Sequence, residues 1–283
     1  MSNARILLIR HGESSNNVLA EELVNEVKEG KRKREVIMLD WLKRRSPDPA
    51  LTEMGQRQAQ DLGKYLAPIL AEEVKSGGPV VLSCSPMLRA CMTLEPLATG
   101  LAKASAYDVG QVEVLPDIFE VHGHYEGKER KAGACQSAAD IRSRFGYSTQ
   151  KLPASGPWWT SGFESRLDAV ARAGRVARRL RSAELREGRL KGRGLYVLVA
   201  HADFMDLILQ HVLHVSPNVN TAPPALGEDD PTYSPEQKGN RPHLFNFQNT
   251  SRTLLELLPD STVRVVYVGR TEHTSSIRVP SRL

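Results

Sequence analysis

Four short apolar runs, Arg5 to Ile9, Pro79 to Cys84, Val112 to Leu115 and Leu195 to Ala200, set the limits on what this chain can become. Runs that are short and apolar throughout, rather than alternating, are the pattern of strands buried on both faces. Helical patterns separate most of them. From Thr52 onward, Ala59, Leu62, Leu66, Ile69 and Leu70 recur at helical spacing until Gly77-Gly78 ends the pattern. From Phe163, the positions Leu167, Val170, Gly174, Ala177 and Leu180 make a second stripe, whose other face is crowded with arginines and reads as solvated. Phe204 to Leu213 makes a third. Strands alternating with helices predict an α/β three-layer sandwich, a mostly parallel central sheet with helices on both faces. Thr253 to Leu258 and Val263 to Val268 alternate well enough to predict a closing hairpin through Pro259-Asp260.

A chain of 283 residues is expected to form one domain over 1–283, interrupted by insertions at about 18–47 and 215–242. The second holds Pro217, Pro223, Pro224, Pro231, Pro235 and Pro242 and reads as a surface excursion. Within the first, Lys28 to Arg45 carries eight basic residues against three acidic ones, which accounts for the whole formal charge of +5. A local basic run without a helix-turn-helix, zinc-finger or RNA-recognition signature does not make a nucleic-acid reader. The longest apolar run, Leu195 to Ala200, has six residues against the ~20 that cross a bilayer, so no membrane partner is expected. Cys84, Cys91 and Cys135 have no metal-ligand spacing and read as free thiols. With only Ile6 to Ile9 between Arg5 and Arg10, the start lacks the core of a secretory signal, and a cytoplasmic location is expected. No heptad or apolar stripe points to an oligomer interface.

In an open parallel sheet, ligands bind beyond the carboxyl ends of the strands. The first run ends in Arg10-His11-Gly12-Glu13-Ser14, where Gly12 would let the backbone approach a ligand. The second ends in Ser85-Pro86, a good N-cap followed by a favoured first helical residue, which puts Arg89 in the first turn. A cation there opposes the helix dipole, unless it faces solvent or pairs with an anion held at that helix start. The third run leads through Pro116 to Phe119 into Glu120, a carboxylate that can donate a proton if its surroundings suit. The fourth stops at His201-Ala202-Asp203. Arg10, His11, Arg89, Glu120 and His201 at four strand ends are too coherent a set for a purely structural origin. His122 and His124 could be read as a metal pair, but further ligands are missing, and they are expected to line a substrate entrance. His211, His214, His243 and His273 have no motif context.

These residues give the chain its resemblance to the histidine phosphatase superfamily, the group of cofactor-dependent phosphoglycerate mutases and fructose-2,6-bisphosphatase-like phosphatases. The resemblance runs from Arg5 to about Leu258. It rests on Arg10 to Ser14 with Asn17, Leu51 to Ala59, Ser85-Pro86 with Arg89-Ala90 and Thr93, Glu120 before Gly123 and Glu126-Gly127, His201, and Asn249-Thr250-Ser251. Ala202 departs from the usual glycine. The resemblance implies a phosphoglycerate mutase-like fold and a phosphohistidine formed on His11, with no metal and no cofactor. Arg10, Arg89, Asn17 and the backbone at Ala202 would bind phosphate, His201 would be a second donor to it, and Glu120 would be the acid and base. Paired arginines suit the task because their forked donors match phosphate oxygens.

A mutase must shield its phosphohistidine from water under a closing, basic lid. The glycine-tryptophan signature of phosphoglycerate mutases after the first motif is not evident, nor is their basic-aromatic stretch after the acid. Phosphomonoester hydrolysis is therefore the first expectation, with phosphoglycerate mutation or a non-catalytic phospho-ligand-binding member as alternatives. The expected partner is a small phosphorylated substrate or a phosphoprotein. The basic insertion reads as a solvated charged helix or a cap over an acidic ligand. The final Ser281-Arg282-Leu283 is similar to the serine-lysine-leucine peroxisomal address, which makes a peroxisome-type organelle the alternative location.

Overall fold

The computed structural model describes residues 3–214, 244–260 and 262–274. In chain order its elements are β1 (Ala4–Arg10), α1 (Ser15–Lys28), α2 (Arg34–Arg44), α3 (Glu53–Lys75), β2 (Val80–Cys84), α4 (Leu88–Ala104) and β3 (Glu113–Val114). There follow β4 (Tyr125–Glu126), β5 (Lys131–Ala132), α5 (Ala138–Phe145), α6 (Arg166–Leu180), β6 (Leu195–Ala200), α7 (Ala202–Val212), β7 (Arg252–Leu257) and β8 (Val263–Arg270). Six strands form one sheet in the order β3-β2-β6-β1-β7-β8. The first four are mutually parallel, and β7 and β8 close the sheet as an antiparallel pair. This is the expected mostly parallel sheet with its terminal hairpin.

Alternation along the central strands assigns the two layers. Leu7 and Ile9 of β1, with Val197 and Val199 of β6, face α3, α4 and α5. Ile6 and Leu8, with Tyr196, Leu198 and Ala200, face α6 and α7. Each fully buried Leu or Ile in these layers contributes on the order of 1.5–3 kcal/mol over an exposed one. The helical stripes need two corrections, for Ile69 and Leu167 stand 52% and 66% exposed on the rims of their helices. α6 starts at Arg166, with Ser165 rather than Phe163 at its head, because the Ser165 hydroxyl caps Asp168 N–H at 3.2 Å. Nor is the arginine face of α6 wholly solvated, since Arg172 is buried. The third apolar run narrows to the two paired residues of β3.

The basic segment after the first motif is helical throughout most of its length. α1 and α2 form a hairpin around their own small core of Leu19, Leu23, Ile37 and Trp41. Several of its charges are spent internally, Arg32 on Glu26 and Asp40 and Arg44 on Glu22 and Asp40. The excursion at 215–242, His243 and the C-terminal tripeptide lie outside the described residues. No described helix is long and apolar enough to cross a membrane. The described cysteines are all free thiols.

Candidate active site

The carboxyl ends of β1, β2 and β6 lie side by side, with Arg10 opposite Ala200 and Cys84 opposite Val199. The residues that follow them therefore meet. Arg89 Nε–H donates to His11 Nε2 at 3.2 Å, and the rings of His11 and His201 lie 5.1 Å apart between centroids. His11 Nδ1 lies 2.6 Å from the Gly12 carbonyl oxygen, which can only accept, so the proton sits on Nδ1. The lone pair is left on Nε2, the atom that faces Arg89. Arg10, His11, Arg89, Glu120 and His201 are all at least nine-tenths buried.

Backbone contacts hold this centre in place. The Gly12 N–H donates to Thr93 Oγ1 at 2.9 Å, and that hydroxyl donates to the Arg89 carbonyl at 2.6 Å, tying the His11 loop to the first turns of α4. Asn249 Nδ2 and the Thr250 N–H both donate to the His11 carbonyl. Gly12 packs closely on α3, because a Cβ there would meet the Gly55 carbonyl oxygen at 2.7 Å. A Cβ on Gly55 would lie 2.0 Å from the Glu13 carbonyl oxygen, so loop and α3 touch backbone to backbone. Thr52 caps α3 by accepting from Gly55 N–H at 3.0 Å and donates in turn to Glu13 Oε1 at 2.6 Å.

The start of α4 differs from expectation. Ser85 does not cap it; its Oγ accepts from Met87 N–H, and the helix begins at Leu88. The cap comes from a distant segment, since Asp48 Oδ1 accepts from Leu88 N–H at 2.9 Å. Burial pushes the Asp48 carboxyl up to about 6, against the opposing pull of Arg89. An acceptor from outside the helix therefore caps a first turn that carries a cation.

Glu120 Oε1 accepts from Val121 N–H at 2.9 Å and from Phe204 N–H at 3.0 Å. The carboxylate thus satisfies one of the open donors at the start of α7, the helix that follows His201. Burial drives the His201 ring below its ordinary range, and the charge of Arg89 adds to this, so the imidazole is neutral. Ala202 opens α7 with ordinary helical backbone and needs none of glycine's freedom. Asn17 lies in the first turn of α1, where its Oδ1 accepts from Ser14 N–H and Ser14 Oγ–H at 3.0 Å. Only its amide NH2 end can serve an oxyanion.

Several neighbours were not singled out from the sequence. Arg172 of α6 forms a bidentate pair with Glu164, at 2.7 and 2.6 Å, and donates to the carbonyls of Asp117 and Phe119 just before Glu120. Its guanidinium lies between the rings of Phe119 and Phe204, 3.5 and 3.9 Å from their centroids. Arg45, at the end of the basic hairpin, covers the Tyr125 ring at 3.8 Å and donates to the Tyr125 carbonyl. His122 and His124 are 2% and 0% exposed, buried side chains where an entrance position was expected. His122 adopts a left-handed backbone, φ 77°, costly for a residue with a side chain, and stacks on Phe163 at 4.4 Å. His211 and His214 make hydrogen bonds to Val170 and Arg181, and His273 bonds the hydroxyl of Thr250, the residue whose N–H holds the His11 carbonyl. Among the described residues, no group of three or more His, Cys, Asp or Glu is placed to hold a metal ion.

Two strand-end histidines thus stand with the buried Arg10 and Arg89 at the carboxyl edge of a mostly parallel sheet. The sequence profile of the histidine phosphatase superfamily, branch 1, matches residues 6–222, and the chain belongs to that family. No curated protein matches the chain significantly. Among solved structures it is similar to the ecdysone phosphate phosphatase of Bombyx mori, with 16% identity, 97% of each chain covered and a TM-score of 0.54. A mycobacterial protein described as hydrolase 1 shares 19% identity over 94% of this chain and 98% of its own, with a TM-score of 0.50. The phosphoserine phosphatase of Entamoeba histolytica shares 16% over 95% and 98%, with a TM-score of 0.49. The first two likenesses bear on the fold, which is the phosphoglycerate mutase-like fold of this family.

Proposed function

We propose that this chain is a phosphomonoester hydrolase that works through a phosphohistidine on His11 and requires no metal. The observation that carries the reading is the tautomer of His11, with Nδ1–H anchored on the Gly12 carbonyl and the Nε2 lone pair held against Arg89. A phosphate oxygen entering the site takes over the Arg89 donor and frees that lone pair for attack. The N–P bond forms as the ester P–O bond breaks, and Glu120, as the acid, gives its proton to the departing alkoxide. A water then attacks phosphorus, loses its proton to the Glu120 carboxylate, and releases His11 and inorganic phosphate. Arg10, Arg89, Asn17, His201 and the Ala202 N–H stabilise the equatorial oxygens in both steps. His201, held neutral by burial and by the charge of Arg89, gains a proton as the dianion arrives, because the added negative charge favours its charged form.

The substrate is a small phosphate ester or a phosphoprotein, acted on within a single domain in the cytoplasm, or in a peroxisome-type organelle if the C-terminal tripeptide is read. The test is a phosphomonoester panel assayed in chelator, comparing the parent with His11→Ala and including 3-phosphoglycerate with its bisphosphate primer. Phosphate release that His11→Ala abolishes, with an acid-labile, alkali-stable phosphoryl group trapped on the parent, is the expected result. Isomerisation without release would move the assignment to a mutase, and ligand binding with no turnover on any ester would leave a binding protein.

A further inference from the structure

The residues that lead into β7 cradle the Arg10-His11 pair, and a carboxylate of α7 holds the near end of that cradle. Arg10 Nη1 donates to the Phe247 carbonyl at 2.6 Å, and the Arg10 N–H donates to the Ser251 carbonyl at 3.1 Å. Asn249 Nδ2 and the Thr250 N–H donate to the His11 carbonyl at 3.1 and 3.2 Å. The Arg10 guanidinium and the backbone of both residues thus rest on 247–251. Just before this stretch, the Leu244 and Phe245 N–H groups donate to one oxygen, Asp206 Oδ1, at 3.0 and 2.8 Å. Gln210 Nε2 donates to Asp206 Oδ2 at 2.7 Å and so fixes the plane of the carboxylate. Asp206 is 0% exposed and belongs to the helix that His201 heads.

Segment 244–251 lies outside the strands, so its N–H groups need acceptors from other parts of the fold. A buried carboxylate is the strong form of such an acceptor, and its own burial is tolerable only because hydrogen bonds are made to it. The placement matters more than the strength. The carbonyl that holds Arg10 follows the anchored residues directly, in irregular chain with no ladder of its own to fix it. If 244–245 shift, the Phe247 carbonyl shifts with them, and the guanidinium bonded to it follows. We propose that Asp206 is a positioning residue for the phosphate site, which anchors 244–251 on α7 and thereby aims the Arg10 guanidinium and steadies the His11 backbone. The inference rests on the phosphatase reading of that site and adds to it a residue that acts through Phe247 and Arg10 rather than on substrate. Recognition of an oxyanion by a guanidinium depends on the direction of its forked donors, so a small rotation of Arg10 weakens binding and slows transfer together.

The experiment measures orthovanadate affinity by calorimetry, and kcat/KM for an ester the parent hydrolyses, in Asp206→Ala and Asp206→Asn at a temperature where each is folded. Asp206→Ala removes the acceptor, and both quantities are expected to worsen by about tenfold or more, within what a misplacement near 1 Å can cost. Asp206→Asn keeps an Oδ1 for both N–H groups, while the Gln210 amide can turn to face the new NH2, so values near the parent's are expected to return. Parental affinity in folded Asp206→Ala overturns the proposal whatever its melting midpoint, and so does an equal loss in Asp206→Asn. Should Asp206→Ala not melt cooperatively, Asp206→Ser, whose oxygen stops one bond short of the two N–H groups, is read in the same way. A parent that hydrolyses no ester and binds no orthovanadate would sink the phosphatase reading instead. The anchor is then decided by a crystal structure of the variant, in which a Phe247 carbonyl parted from Arg10 supports it and one still bonded overturns it.

Discussion

The pair between Arg172 and Glu164 offers a measurable route to the proposed acid. Both side chains are buried, 5% and 7% exposed, and the guanidinium bonds the Phe119 carbonyl immediately before Glu120 while lying against Phe204, whose N–H holds the Glu120 carboxylate. Burial lowers the basicity of Arg172, and Glu164 offsets only part of this. Glu164→Gln leaves the guanidinium buried without its counter-charge, a change that costs about 3–5 kcal/mol. Against a total stability of ~5–15 kcal/mol the variant still folds at 25 °C if the parent lies in the middle of that range. Arg172→Met removes both carbonyl bonds as well and lets the 117–120 segment relax. A displacement near 1 Å can cost on the order of 10²-fold in rate, so kcat is expected to fall at least about tenfold, a fraction of the roughly 10²–10⁴-fold that a general acid–base group contributes. Urea unfolding of both single variants and the double variant gives the coupling, expected to exceed ~2 kcal/mol because the second substitution removes a partner already stranded. A Glu164→Gln protein within ~1 kcal/mol of the parent, or an Arg172→Met enzyme with parental kcat, would refute the reasoning.

Gly55→Ala is expected to destabilise by about 1–3 kcal/mol, since its Cβ would stand 2.0 Å from the Glu13 carbonyl oxygen and two backbones must part; thermal melting checks this, and an unchanged midpoint would contradict it. The folded Asp48 carboxyl, at about 6 against an ordinary 3.8, holds a proton that the unfolded chain has lost between those values. Relative to Asp48→Asn, the parent therefore loses stability as pH rises from about 4 to about 6, which paired urea titrations at the two ends will show or deny. His201 works in the opposite sense. Its folded ring is held neutral while the unfolded one takes a proton near 6.5, so the parent loses stability as pH falls through that value, and His201→Gln flattens the acid limb in melts at pH 5 and 7.5.

What the sequence disclosed about the site, it disclosed through position along the strands. Arg10, His11, Arg89 and His201 each follow a buried apolar run or open the helix after one, and a parallel sheet has no other place to put those residues than one edge. Their neighbours carry no such signal. Arg172 sits in an arginine-rich helix whose periodicity makes it one polar position among many, and only its burial against Phe119 and Phe204 sets it apart. Asp48 caps a helix forty residues away in sequence, and Ser85 was locally the better candidate, so tertiary contact overrode local preference. His124 and Trp158 meet across a long loop with no periodic pattern to relate them. The hairpin of α1 and α2 was visible as charge and length, but its small core emerges only when Leu19 and Leu23 face Ile37 and Trp41.

That hairpin starts beside the His11 loop, where Asn17 holds the Ser14 N–H, and is followed by Asp48, which caps the helix carrying Arg89, so both of its roots are tied to the candidate site. An excursion clamped at its two roots can grow, shrink or change charge at its crown without moving the atoms below. Diversification within such a lineage is thereby channelled into the far end of the hairpin, and the residues around His11 are spared the consequences.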